Sequence, residues 1–220
     1  MSEPLHGFTH RWQPSSQPET SPTLLLLHGT GGNENDLLDL GRELAPQANL
    51  LSPRGKVLEG TMPRFFRRLA EGVFDLEDLQ FRTHELADFV IEAAREYGFS
   101  EKSLIAVGYS NGANVATSML LLRPELFRAA VLFRGMVPLV PEDAPDLSET
   151  KVLLCSGRYD PIVSVDNVER LTGMLEQFGA DVTLSWQQTH HTLTLQDVLT
   201  AKTWLISSKL IGMNKDESHS

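Results

Sequence analysis

The sequence predicts a single-domain α/β protein with a mostly parallel, doubly wound sheet, and three observations carry that prediction. Short runs rich in aliphatic residues recur along the chain, segments with apolar residues at helical spacing stand between them, and most of the links are short. At 220 residues, 41% of them hydrophobic and 22% charged, the chain can bury one sizeable core. Residues 1–213 are read as that domain and 214–220 as a flexible polar tail.

Taken in order, residues 8–13 are expected to form an antiparallel edge strand that ends at the proline-rich stretch 14–22. Residues 23–27 are the first buried strand, and Leu37, Leu38, Leu40 and Leu44 give a helix that Pro46 stops. A strand over 49–52 follows, then an aperiodic stretch, 53–75, read as a loop at a sheet end. Leu79, Leu86, Phe89, Val90, Ala93 and Tyr97 mark one face of a long helix closed by Gly98. Next come a strand at 104–107, a helix at 113–122 before Pro124, and a strand at 129–133. A second loop, 136–150, holds several prolines and acids. The alternation then resumes with a strand at 152–155, a helix carrying Val168, Leu171 and Leu175 up to Gly179, and a strand at 182–186. A last helix is opened by the capping box of Thr194 and Asp197.

With 19 Lys and Arg against 29 Asp and Glu the formal charge is −10, and no basic run offers an anchor for nucleic-acid phosphates. The first residues lack the pattern of a secretory signal, and the longest aliphatic run, 24–27, is far too short to span a bilayer, so membrane insertion is not expected. One cysteine, Cys155, excludes an intramolecular disulfide framework and multi-cysteine metal cages. Its place in an apolar strand marks it as a core thiol. A cytoplasmic setting, no metal and no organic cofactor are the expectations; a homodimer is left open.

Gly108-Tyr109-Ser110-Asn111-Gly112 has the G-x-S-x-G form of a nucleophile elbow, and it stands between a strand and a helix as that motif requires. A serine needs a base oriented by a third group. In this architecture the partners follow as acid and then histidine, at carboxyl ends of strands. Asp160, just past the strand 152–155, meets that condition. Asp181 precedes its strand, Asp166 falls in the next helix, and Asp143 and Asp146 lie in the acidic loop. Of the histidines after Asp160, His219 is in the tail, which leaves the pair His190-His191, and spacing alone does not choose between them. For the oxyanion, backbone amides of Thr30, in His28-Gly29-Thr30-Gly31-Gly32, and of Asn111 are the expected donors. That loop has neither the G-x-G-x-x-G spacing nor a following Lys-Ser/Thr pair of a nucleotide site. His28 is read as a structural hydrogen-bonding residue beneath it.

Together, His28-Gly29-x-Gly31-Gly32-Asn33-Glu34, the elbow, Asp160-Pro161-Ile162-Val163 and His191-x-Leu193-Thr194 resemble the small bacterial carboxylesterase/phospholipase family of α/β-hydrolases, which includes the acyl-protein thioesterases. The segments Ser52-Pro53-Arg54-Gly55 and Met62-Pro63-Arg64-Phe65-Phe66-Arg67-Arg68 are similar to its quinone-stress subgroup. The resemblance, over roughly residues 20 to 207, implies a Ser-His-Asp triad of Ser110, His191 and Asp160 in an esterase without a large cap. In its pattern a glycine precedes the histidine and a leucine lies two beyond, which selects His191 and puts His190 in the glycine position. The expected substrate is a small-molecule carboxylic ester with a small or medium acyl or aromatic part. A thioesterase, or a small-molecule receptor on the same scaffold, is the alternative. Met62, Phe65 and Phe66 are expected as a pocket wall with Arg64 as a polar group in it, and Met136 and Ile162 complete the substrate-contacting set.

Overall fold

A computed structural model describes residues 5–212. The chain runs through β1 (His10–Gln13), β2 (Thr23–Leu27), α1 (Leu38–Leu44) and β3 (Asn49–Pro53). Two small hairpins follow, β4 (Val57–Glu59) with β5 (Met62–Arg64) and β6 (Arg68–Ala70) with β7 (Val73–Phe74). The rest alternates: α2 (Leu76–Tyr97), β8 (Leu104–Tyr109), α3 (Asn111–Leu122), β9 (Ala129–Phe133), β10 (Lys151–Gly157), α4 (Val165–Gln177), β11 (Asp181–Gln187) and α5 (Leu195–Ser207). Seven strands form one sheet in the order β1-β3-β2-β8-β9-β10-β11, parallel except for β1.

Helices on both faces explain why β2 and β9 are apolar runs without polar alternation: every residue in them, as in β3, is buried. Leu25 and Leu27 turn to the core shared with α2, α3 and α4, while Leu24 and Leu26 turn to the one shared with α1 and α5. Burying each such leucine contributes about 1.5–3 kcal/mol. Helix ends follow local chemistry. The Asp75 carboxylate accepts from the Asp78 amide to open α2, Gly98 closes it with φ 71°, and Thr194 and Asp197 form the reciprocal capping box of α5. Cys155 is fully buried, which pushes its thiol up to about 12. No helix among the described residues is long and apolar enough to cross a membrane.

The stretch 53–75 departs from the expected loop, since it folds as the two hairpins. Strands of two or three residues are too short to display a period of two; their only local marks are Gly60 and Gly72, both at positive φ. The second loop, 136–150, has neither helix nor strand. The predicted tail at 214–220 lies outside the described residues.

From β2 the chain passes outward to β3, and it later returns on the other side of β2 as β8. The loops leaving β2 and β8 therefore part from each other at the carboxyl edge of the sheet, where such a reversal opens a crevice.

Candidate active site

Ser110 links β8 to α3 with φ 53° and ψ −112°, a conformation that costs a non-glycine residue about 1–3 kcal/mol. Its neighbours enforce the turn. A Cβ on Gly108 would lie 2.5 Å from the Gly112 carbonyl oxygen, and one on Gly112 would lie 1.9 Å from that of Leu27, so helix and strand meet here backbone to backbone. The Ser110 amide donates to the Phe133 carbonyl at 2.9 Å, fixing the turn to β9.

Asp160 follows β10, and its side chain is 1% exposed. Its Oδ1 accepts from the amides of Ile162 (2.8 Å) and Val163 (3.1 Å), which leaves Oδ2 to accept from His191 Nδ1 at 2.7 Å. His191 Nε2 stands 2.8 Å from Ser110 Oγ. A carboxylate only accepts, so the neutral ring carries its proton on Nδ1 and turns the Nε2 lone pair toward the serine hydroxyl. His190 lies outside this chain of bonds: it is exposed, and its Nδ1 meets the Tyr159 carbonyl at 2.7 Å. Three residues from three loops thus form one relay able to take a proton from Ser110 and return it to a leaving group.

The backbone amides of Thr30 and Asn111 make no hydrogen bond to any described residue. Asn111 also opens α3, whose N-terminal dipole favours negative charge. The segment after β3 lashes both positions in place. Gly31 N donates to the Pro63 carbonyl (2.9 Å), Arg64 Nη1 to Thr30 Oγ1 (2.6 Å), and Phe65 N to Asn111 Oδ1 (2.8 Å). His28, 1% exposed, accepts from Gly55 N at 3.0 Å and meets the Gly29 carbonyl through Nδ1, as expected of a structural residue; burial holds its pKa below the ordinary value.

The expected pocket wall divides. Met62 is 42% exposed and packs beside Gly31, and Ile162 is 40% exposed just past Asp160. Met136 is half-buried, its amide donating to Asn114 Oδ1 at 2.9 Å. Phe65 and Phe66 are instead core residues, one against His28 and the other edge-on to Phe74. Arg64, 3% exposed, uses Nε on the Phe66 carbonyl and Nη1 on Thr30, so it braces the Thr30 loop from beneath. In a loop, the two phenylalanines would be too large and apolar to cross solvent unless they lined a pocket; because the stretch folds as hairpins, the link between β5 and β6 turns both rings into the core. Sequence reasoning also missed Tyr109, whose hydroxyl donates to the His191 carbonyl at 3.1 Å. The x of G-x-S-x-G gives no hint of that contact.

A mostly parallel sheet with helices on both faces, a serine on a strained strand-to-helix turn, and a histidine and acid on later strand ends define an α/β-hydrolase. The Phospholipase/Carboxylesterase family profile matches residues 13–208, and the chain belongs to that family of carboxylesterase-type hydrolases. It is 48% identical over 181 residues to the putative hydrolase MhqD of Bacillus subtilis, covering 82% of this chain and 90% of that protein. It is 26% identical over 168 residues to the esterase YpfH of Escherichia coli, covering 73% and 71%. The crystal structure of a Bacillus cereus carboxylesterase superposes with a TM-score of 0.89 at 46% identity, over 93% of this chain and 95% of that one.

Proposed function

We propose that this hydrolase cleaves carboxylic esters of small or medium acyl or aromatic substrates through Ser110, His191 and Asp160. One observation carries the reading: the unbroken hydrogen-bond chain from Ser110 Oγ through His191 to Asp160, at 2.8 and 2.7 Å. Ser110 Oγ attacks the ester carbonyl as its proton passes to His191 Nε2, and the carbonyl oxygen becomes an oxyanion facing the amides of Thr30 and Asn111. Collapse breaks the bond to the alcohol, which leaves with the proton from Nε2, and the acyl group stays on Ser110. Water then gives a proton to Nε2 and attacks the acyl carbon; collapse breaks the bond to Ser110 Oγ, which takes that proton back as the acid is released. Asp160 keeps the ring in the productive tautomer and stabilises the imidazolium.

The substrate range rests on the walls. Two small hairpins and no helix fill residues 57–74 between β3 and α2, and Met62, beside Gly31 of the Thr30 loop, and Ile162, just past Asp160, present apolar surface. The test is hydrolysis of p-nitrophenyl esters of graded acyl length, an aromatic ester series and a matched thioester, in the parent and in Ser110→Ala. Turnover greatest for short or aromatic oxygen esters, abolished in Ser110→Ala together with fluorophosphonate labelling, is the expected result. Preference for the thioester would move the activity to acylated thiols, and labelling that persists in the alanine variant would sink the assignment of Ser110.

A further inference from the structure

Directly after β9, Arg134 adopts φ 57°, and its side chain is fully buried. All five of its guanidinium N–H donors are used. Nε donates to the His190 carbonyl (3.2 Å), Nη1 to the Cys155 carbonyl (3.0 Å) and Asp197 Oδ1 (2.9 Å), and Nη2 to the Thr192 carbonyl (2.8 Å) and Asp197 Oδ2 (2.6 Å). The two loop carbonyls it binds belong to the residues on either side of His191, and the carbonyl of His191 itself is taken by Tyr109. Asp197, equally buried, also accepts from the amide and hydroxyl of Thr194 (2.9 and 2.7 Å). One guanidinium therefore fastens the segment 190–197 at both ends, and its own main chain anchors it: Arg134 N donates to the Cys155 carbonyl, and the preceding Phe133 carbonyl accepts the Ser110 amide.

Stability alone does not account for this arrangement. Desolvation offsets most of the attraction within a buried ion pair, and apolar residues of similar volume often do as well or better. An apolar pair has no means of aiming the carbonyls around a histidine on a partly exposed loop. We propose that Arg134, held by Asp197, is the positioning residue for His191: it sets the loop so that the imidazole spans Ser110 Oγ and Asp160 Oδ2 together. The assignment rests on the triad reading above. The work is geometric, since guanidinium and carboxylate cancel in charge and neither touches the reacting atoms.

The test uses the full chain and compares the parent, Arg134→Met/Asp197→Asn, Arg134→Lys and His191→Ala. The double variant leaves no unpaired charge, and the amide oxygen of the introduced asparagine keeps an acceptor for the α5 cap. Its melting temperature is expected to fall, because the His190 and Thr192 carbonyls lose their donor, and turnover is read well below that transition, where the variant is folded. Misplacing the base by about 1 Å should lower kcat roughly 100-fold while KM stays within about twofold. Fluorophosphonate labelling of Ser110, which needs the same imidazole, should slow in parallel. Lysine offers three donors from one point and cannot bind both loop carbonyls and the carboxylate, so Arg134→Lys should show the same split and serves if the double variant fails to fold. A folded variant with kcat within about threefold of the parent, or with a change confined to KM, while His191→Ala is inactive, would leave Arg134 as structure only and overturn the proposal. An active His191→Ala would overturn the triad reading and this assignment with it, an outcome told apart by that single control.

Discussion

Replacing Asp160 by asparagine changes one atom and, through it, the tautomer of His191. Oδ1 of the carboxylate receives two backbone donors, from Ile162 and Val163, so the amide oxygen of asparagine takes that place and its NH2 turns toward His191 Nδ1. Nδ1 must then accept, and the ring proton moves to Nε2, facing Ser110 Oγ, where it blocks proton transfer. Recovering the working tautomer requires flipping the amide so that NH2 faces the two backbone N–H groups. Two donors left unpaired at about 2 kcal/mol each make that flip cost about 4 kcal/mol. At about 1.4 kcal/mol per tenfold, kcat/KM should fall roughly a thousandfold. The assay is p-nitrophenyl acetate hydrolysis beside a thermal melt, and the fold should persist because the two backbone bonds are kept. An asparagine variant within tenfold of the parent would refute the reasoning, either because Asp160 is not the orienting acid or because tautomer control does not limit the rate.

Gly112→Ala should lose both stability and turnover: the new Cβ meets main-chain oxygen of Leu27, which no rotamer change relieves, so a cost of at least about 3 kcal/mol is expected by urea unfolding; a neutral result would mean that α3 can slide on β2. Acid should weaken the fold through His28. Its folded pKa lies below the unfolded value of about 6.5, so between the two the unfolded chain binds the extra proton. Its contribution is intact above that unfolded value and is lost as pH falls toward the folded one, by at most about 1.4 kcal/mol per pH unit. Urea titrations from pH 7.5 to 5.5 should show a slope in the parent that flattens in His28→Gln, and an unchanged slope would assign it to other groups.

The sheet was legible because both of its faces are covered: continuous apolar runs between amphipathic segments have few other readings, and β2 keeps the bounds that its composition suggests. That Ser110 and Asp160 come together at one histidine was legible because strand ends, elbow glycines and chain order restrict where a candidate nucleophile and its acid can stand. His191 was not separable from His190 by spacing, because a loop can aim either side chain; the family pattern chose between them, and the geometry gives each a different partner. Arg134 was silent. A lone cation after an apolar strand looks like any solvated strand end, and its acceptors, three of them backbone carbonyls and the other the Asp197 carboxylate, come together only when β9, β10 and the segment before α5 are assembled. Phe65 and Phe66 turn inward because they link two hairpins whose strands are too short to show in the sequence.

The left-handed turn at Ser110 has a consequence for how such a chain changes over generations. The conformation is unfavourable for every L residue with a side chain and nearly free for glycine, so the position that carries the proposed nucleophile is also one where the fold would gain from losing it. Selection for hydrolysis and selection for robustness pull in opposite directions at a single codon. A chain freed of that reaction would gain stability by exchanging serine for glycine there, so the strain at Ser110 marks the one place in the turn where fold and chemistry make opposite demands.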